Sequence, residues 1–350
     1  MFTQMETAGI AENHLYHDHA TGLRAIIAIH STRLGPAIGG CRFIPYDHES
    51  DAIADAMRLA KGMSYKAALA GLPHGGGKSV IIKPEGAMDR TALMQAFGRF
   101  IDTLQGRYIT AMDSGTLTSD MDAIATSTPW VTCTTTFGDP GPFTARGVVR
   151  GMMAAVEHRL GTQTLAGMHV AIQGLGNVGM AVAQLLHQHG ARLTVTDINP
   201  ALVASAASRF GAATVMPDAI YSVAADIFCP CGLGGVLNPT TIDALNVSVV
   251  AGSANNQLTS TAAGEQLHDK GILYAPDYVI NAGGLIYVAL KHTHTPQEAI
   301  SAQTDAIQET LSALFTDAET AGQAPFLIAD AKAEQVIAKG LATEPTRAFA

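Results

Sequence analysis

Charge is scarce in this sequence. Of 350 residues only 15% are Asp, Glu, Lys or Arg, and 30 acids against 21 Lys and Arg leave a formal net charge of -9. An average globular chain carries roughly 25% charged residues. There is no basic excess to neutralise phosphates, which excludes a general nucleic-acid binder. Cysteine is equally sparse: Cys41, Cys133, Cys229 and Cys231 form no evenly spaced secreted framework, so free thiols are expected. Cys229-Pro-Cys231 has no second Cys/His pair at zinc spacing, and no metal site is predicted. Long apolar runs are missing too. The least polar stretch, 278–290, is too short and too glycine-rich to span a bilayer. The first residues show neither a basic n-region nor an apolar h-region, so a cytoplasmic protein with no membrane partner is expected.

What is present points to folded domains. Hydrophobic residues make up 47%, too many for a disordered chain at this small charge per residue. The length suits two domains. Sparse charge also suggests a surface partly covered by partner subunits, a homo-oligomer.

Residues 23–30 read as a strand, 49–70 as an amphipathic helix, 78–82 as a buried strand, 91–104 as a helix and 107–111 as a strand. The Thr-, Pro- and Gly-rich stretch 126–144 reads as an interdomain hinge. Beyond it, strands at 168–173, 191–196, 226–229 and 247–251 alternate with helices at 144–159, 178–189 and 200–209. That alternation predicts a parallel sheet covered by helices. The fold class is therefore α/β, with two domains and a cleft between them, the second a Rossmann-type parallel sheet. The predicted domains are 1–135 for substrate and oligomerisation and 145–325 for the dinucleotide, with 326–350 packing back on the first.

The clearest motif starts where an apolar strand ends at Gln173. Gly174, Gly176 and Gly179 form GxGxxG, a helix follows, and a second strand leads to Asp197. The first glycine makes the tight turn, the second lets the backbone approach a pyrophosphate, and the third allows close packing. The helix N-terminus favours the phosphates, and the acid takes the ribose hydroxyls. A carboxylate there repels a 2′-phosphate, so NAD is predicted over NADP.

The first half carries Lys66, then Gly75-Gly-Gly-Lys78-Ser79. A P-loop would need glycine where Leu72 stands, and would follow a strand rather than a helix, so an NTPase is excluded. The spacing suggests Lys66 at a helix end and Lys78 opening a strand after a glycine loop. Two ammonium groups held close together raise the cost of charging each other, which would fit one as a general base and the other as a carboxylate anchor. Asp113, just past a predicted strand, is the third candidate. Arg42 and Arg146 read either as phosphate contacts or as structural ion pairs. His14, His17, Asp18 and His19 read as an exposed hairpin turn.

Taken together, these segments resemble the Glu/Leu/Phe/Val amino-acid dehydrogenase family, most nearly its leucine, valine and phenylalanine members. The resemblance rests on Gly35-Pro-Ala-Ile-Gly-Gly-Cys-Arg42, Lys61-Gly-Met-Ser-Tyr-Lys66, the Lys78 and Asp113 segments and the glycine motif. It continues through Pro230-Cys-Gly-Leu-Gly-Gly, Ala251-Gly-Ser-Ala-Asn-Asn-Gln257 and Ala275-Pro-Asp-Tyr-Val-Ile-Asn-Ala-Gly-Gly284. It implies NAD-linked, reversible oxidative deamination of an L-amino acid to a 2-oxo acid and ammonia. Lys78 and Asp113 would be catalytic, Lys66 and Asn281 would hold the substrate carboxylate, and Gly39 and Gly40 would line the reacting carbon. Ile38, Ala111, Leu285 and Val288 would form the side-chain pocket. Ala111 and Val288 suit a branched aliphatic substrate, with an aromatic or other specialised amino acid as the alternative. Asn177, Val178, Thr144, Cys231, Ala254, Asn255 and Asn256 would join the glycines and Asp197 around the cofactor. Tyr287, Met112, Gly232 and His74 depart from the usual family pattern. A non-catalytic dinucleotide-binding regulator is the rival of another class.

Overall fold

After a short helix, α1 (Phe2–Ala8), the chain forms an antiparallel hairpin of β1 (Glu12–Asp18) and β2 (Leu23–Ser31). Asp18 closes the turn, accepting from the Ala20 N–H and the Thr21 hydroxyl. His17, Asp18 and His19 thus lie at the hairpin end, whereas His14 sits within β1, its Nε2 2.8 Å from Glu12 Oε2. No group of three or more His, Cys, Asp or Glu among the described residues could hold a metal.

The computed structural model describes residues 1–340. These residues divide into two units. The first holds Met1–Asp139, Val288–His294 and the chain from Ala333; the second holds Pro140–Tyr287 and Thr295–Lys332. Residues 341–350, part of the tail expected to pack back on the first domain, lie outside the described residues.

The first unit continues with β3 (Ala37–Ile44), α2 (Glu49–Leu69), β4 (Gly75–Ile82), α3 (Arg90–Asp102), β5 (Tyr108–Met112) and α4 (Thr118–Ala125). Its mixed sheet has the order β1-β2-β4-β3-β5. Helix α2 forms because Ala52, Ala56, Met57 and Ala60 recur at helical spacing. That stripe buries against Ile26, Ala28, Val80 and Ile82 of the sheet. Each large apolar side chain so covered contributes roughly 1.5–3 kcal/mol.

Two expectations change here. The glycine run is not a loop. Gly75, Gly76 and Gly77 are the first residues of β4, and all eight of its residues are buried. A Cβ would lie 1.8 Å from Ser31 O at Gly75, 2.0 Å from Ser64 N at Gly76 and 2.8 Å from the Tyr108 ring at Gly77. Close packing on both faces, not an exposed cradle, explains the glycines. The expected hinge also shrinks. Trp130 O accepts from Thr110 N, and Thr132 N donates to Thr110 O, so this part lies along β5. Helix α5 (Gly141–Leu160) has begun by Thr144.

The second unit alternates β6 (His169–Gln173), α6 (Asn177–Gln188), β7 (Arg192–Thr196), α7 (Pro200–Phe210), β8 (Ala213–Thr214), β9 (Ile227–Pro230), α8 (Pro239–Ala244), β10 (Val249–Val250), α9 (Thr261–Asp269) and β11 (Leu273–Tyr274). The sheet is wholly parallel, ordered β11-β10-β9-β6-β7-β8. Chain order reverses between β6 and β9. In doubly wound sheets ligands bind at such a switch point, beyond the strand C-termini. Five further helices follow: α10 (Asp277–Ile280), α11 (Gly283–His292), α12 (Gln297–Asp305), α13 (Ile307–Ala321) and α14 (Pro325–Lys339). No helix among the described residues is long and apolar enough to cross a membrane.

Candidate active site

The first sheet brings three of the sequence-predicted residues together. Lys78 sits mid-β4, its side chain 8% exposed, and its Nζ lies 2.6 Å from Asp113 Oδ2. Asp113 follows the last residue of β5, and its N–H donates to the Thr116 hydroxyl. Gly40 on β3 is the third residue. A Cβ there would fall 2.7 Å from the Asp113 Cβ and 3.3 Å from Lys78 Nζ. Gly39 is equally constrained, 1.8 Å from Gly77 O by the same measure. Lys78 thus forms an ion pair with a carboxylate. Lys66 is half-buried in the last turn of α2.

Burial pushes the Asp113 carboxyl up. The Lys78 ammonium and the Arg42 guanidinium outweigh it and hold the group below its ordinary value. Beneath the pair, burial pushes the Cys41 thiol up to about 12 and keeps it protonated. Ile38 is buried on β3, and Ala111, paired with Gly40, is half-buried on β5. Leu285 is half-buried and Val288 buried, both on α11.

Arg42 and Arg146 are ion-pair residues. Arg42 bonds Asp55 and Asp113, and Arg146 grips Asp305 with two contacts of 2.6 Å. Sequence reading missed Asp55. Its position on the polar side of α2 was the only local signal, and nothing local names its partner.

In the second unit the motif glycines meet three different demands. Gly174 has φ of +94°, and a Cβ would meet Gly232 N at 2.6 Å. Gly179 would meet Gly174 O at 2.1 Å, whereas Gly176 faces open space. Gly176 is the N-cap of α6 and brings no capping side chain, so Asn177 and Val178 open the helix behind bare backbone. Asp197 stands just past β7, where Oδ2 accepts from Leu175 N at 2.6 Å and Oδ1 from Asn199 N at 2.8 Å. It pins the glycine turn to the end of β7.

Cys231 follows β9, its N–H donating to Gln173 O and its sulfur 3.4 Å from that of Cys229. Ala254 is buried and bonds Pro230 O, while Asn255 and Asn256 are exposed, the latter at φ of +52°. Thr144 approaches Gly284 so closely that a Cβ would lie 2.5 Å from its hydroxyl. Tyr287 stacks on Phe143, with ring centroids 4.6 Å apart. Asn281 is buried. Its amide nitrogen donates to Ser253 O and Asn255 Oδ1, and its buried Oδ1 has no hydrogen-bond partner.

Comparison with known proteins finds relatives over both units. Residues 11–130 match the Glu/Leu/Phe/Val dehydrogenase dimerisation domain. Residues 141–214 and 199–323 match the Glutamate/Leucine/Phenylalanine/Valine dehydrogenase model. A leucine dehydrogenase of Geobacillus stearothermophilus is 46% identical over 341 residues, covering 96% of this chain and 93% of the relative. A valine dehydrogenase of Streptomyces albus is 44% identical, covering 94% and 92%. The crystal structure of an L-tryptophan dehydrogenase from Nostoc punctiforme superposes with a TM-score of 0.87 at 43% identity, covering 97% of this chain and 99% of that one. With both units matched in order and nearly full length shared, the chain belongs to the Glu/Leu/Phe/Val dehydrogenase family and is an amino-acid dehydrogenase, an oxidoreductase acting on a CH–NH2 group.

Proposed function

We propose that the chain catalyses NAD-dependent, reversible oxidative deamination of a branched-chain L-amino acid to its 2-oxo acid and ammonia, working as a homo-oligomer. The observation that carries this reading is the buried contact of 2.6 Å between Lys78 Nζ and Asp113 Oδ2. An ammonium and a carboxylate in contact, largely screened from water, can pass protons to and from an amine or a water molecule.

Lys66 offers a positive charge to the substrate carboxylate. Lys78, once its ammonium has passed a proton to the Asp113 carboxylate, holds the water that attacks the oxidised α-carbon and takes its proton. Asp113 exchanges the proton of the departing amine. Asn281 helps to hold the substrate carboxylate. The open backbone at Gly176 and the constrained Gly174 and Gly179 fit a dinucleotide diphosphate, and Asp197 fits an unphosphorylated ribose. The chemistry supplied by bound NAD is acceptance of the α-hydride. Asn177, Val178, Thr144, Cys231, Ala254, Asn255 and Asn256 would join them around the dinucleotide.

Ala111, Val288 and the leucine and valine dehydrogenases among the relatives support a branched aliphatic substrate. The L-tryptophan dehydrogenase neighbour supports a second reading, an aromatic substrate. One methylene is worth only about 1–3 kcal/mol of discrimination, so few residues separate the two. The test follows NADH absorbance over the L-amino acids with NAD, and over 2-oxo acids with ammonium in reverse. Leucine, valine or isoleucine is expected to turn over fastest, and K78A to lower kcat by about 10²–10⁴-fold with NADH still bound. A flat panel with NADH bound would instead favour the non-catalytic regulator.

A further inference from the structure

A chain of alternating charges leads away from the Lys78–Asp113 contact. Asp113 Oδ2 also accepts from Arg42 Nε at 3.3 Å. Arg42 Nη1 donates to Asp55 Oδ2 at 2.6 Å, and the Tyr46 hydroxyl donates to the same oxygen at 2.7 Å. Arg58 Nη2 donates to Asp55 Oδ1 at 2.7 Å. The order is Arg58, Asp55, Arg42, Asp113, Lys78, drawn from α2, β3, the end of β5 and β4. The side chains of Arg42 and Asp55 are only 18% and 16% exposed. Charges so far from water persist only when paired.

Resting on the reading above, we infer that Arg42, braced by Asp55, is a positioning residue that holds the Asp113 carboxylate against the Lys78 ammonium for proton exchange.

The geometry separates this role from a simple ion pair. Asp55 already has Tyr46 and Arg58, so it does not depend on Arg42 alone. The shorter contact of Arg42 is with Asp55, which anchors the guanidinium from behind. Its Nε then reaches Asp113 at longer range and leaves the short contact to Lys78. A guanidinium suits this place because it does not give up its proton. It orients and charges without entering the proton exchange. A lysine there would be a point charge able to grip one carboxylate at a time.

The groups facing Asp113 are Lys78 from β4, Arg42 and Cys41 from β3 and Tyr108 from β5. Burial holds the Cys41 thiol and the Tyr108 hydroxyl protonated and uncharged. Lys78 and Arg42 are therefore the charges that set how Asp113 titrates. Removing Arg42 lets the upward push of burial gain ground, and Asp113 then loses its proton at a higher pH.

The test measures kcat and KM across pH for the full-length enzyme with L-leucine and NAD, in wild type, R42Q, R42K and D55N. R42Q is expected to lower kcat about tenfold or more. It should leave the KM for L-leucine little changed and raise the acid limb of kcat/KM by about one pH unit. R42K keeps the charge, so its acid limb returns toward wild type while kcat stays low. D55N releases the brace and moves the limb the same way as R42Q, by less. A merely structural role would lower stability and leave the limb in place. A wild-type limb in folded R42Q and D55N overturns the inference. Should R42Q fail to fold, a wild-type limb in D55N alone overturns it. K78A separates the two levels. If K78A keeps its turnover, the Lys78–Asp113 reading falls. If K78A is inactive while R42Q and D55N match wild type, only the role of Arg42 falls.

Discussion

Gly76 of β4 packs directly against Ser64 of α2: a Cβ on Gly76 would lie 2.0 Å from the Ser64 backbone nitrogen. Two residues further along each element come Lys78 and Lys66. The absence of one side chain therefore sets how closely the helix carrying one lysine lies on the strand carrying the other. The three atoms nearest that Cβ are all on Ser64, and two are backbone, so the helix itself would have to move. G76A is expected to destabilise by about 3 kcal/mol or more, the upper range for an overpacked core. Denaturant unfolding of G76A beside wild type checks this; equal midpoints would show that α2 yields freely.

His30 gives a pH signature. Its Nδ1 lies 2.8 Å from Ser64 Oγ. Burial pushes the imidazole down to about 4, the nearby Lys61 charge adds to that, and Glu334 opposes it. The unfolded chain takes up this proton near 6.5, the folded chain only near 4. Stability is thus expected to fall as pH drops through that window, because the unfolded state binds the proton first. The depressed carboxyls of Asp55 and Asp113 act lower, costing stability only as pH falls below 3.8. Thermal melts in the upper window should show a shallower slope for H30Q than for wild type. An unchanged slope would place the effect on another group.

The four thiols should differ sharply in reactivity. Burial pushes Cys41 up to about 12 and raises Cys133 and Cys229. The hydrogen bond from Cys229 lowers Cys231, outweighing burial. Only the thiolate attacks an alkylating agent. Iodoacetamide at mildly alkaline pH is expected to modify Cys231 first, with C231S abolishing the fast phase. Peptide mass spectrometry reads the order, and early labelling of Cys41 or Cys229 in the folded protein would reverse it.

Sequence made the second unit more legible than the first. Gln173, Gly174, Gly176, Gly179 and Asp197 belong to one continuous strand, turn, helix and strand, so local spacing carries the geometry. The Lys78–Asp113 contact depends instead on β3 lying beside both β4 and β5, and the Arg42–Asp113 bond joins residues 71 apart. No local pattern encodes such crossovers. Gly75–Gly77 read as a loop because glycine weakens an isolated strand. Here the space between Ser31, Ser64 and Tyr108 admits nothing larger, and tertiary packing overrides propensity. Asn281 fell in the expected segment, but the direction of its amide follows from Ser253 O and Asn255, which sequence alone does not orient.

Strand β4 lies between β2 and β3, yet three of its eight residues have no side chain. Glycines lose the most freedom on folding and bring no apolar surface of their own. This strand therefore cannot form early by itself; it is ordered by neighbours that are already in place. Lys78, at its midpoint, reaches Asp113 only when the sheet has closed around it. The pair is in effect a gauge of completed folding: a partly assembled sheet that keeps most of its helix and strand content would already have lost it, so activity should vanish ahead of the circular dichroism signal as denaturant rises.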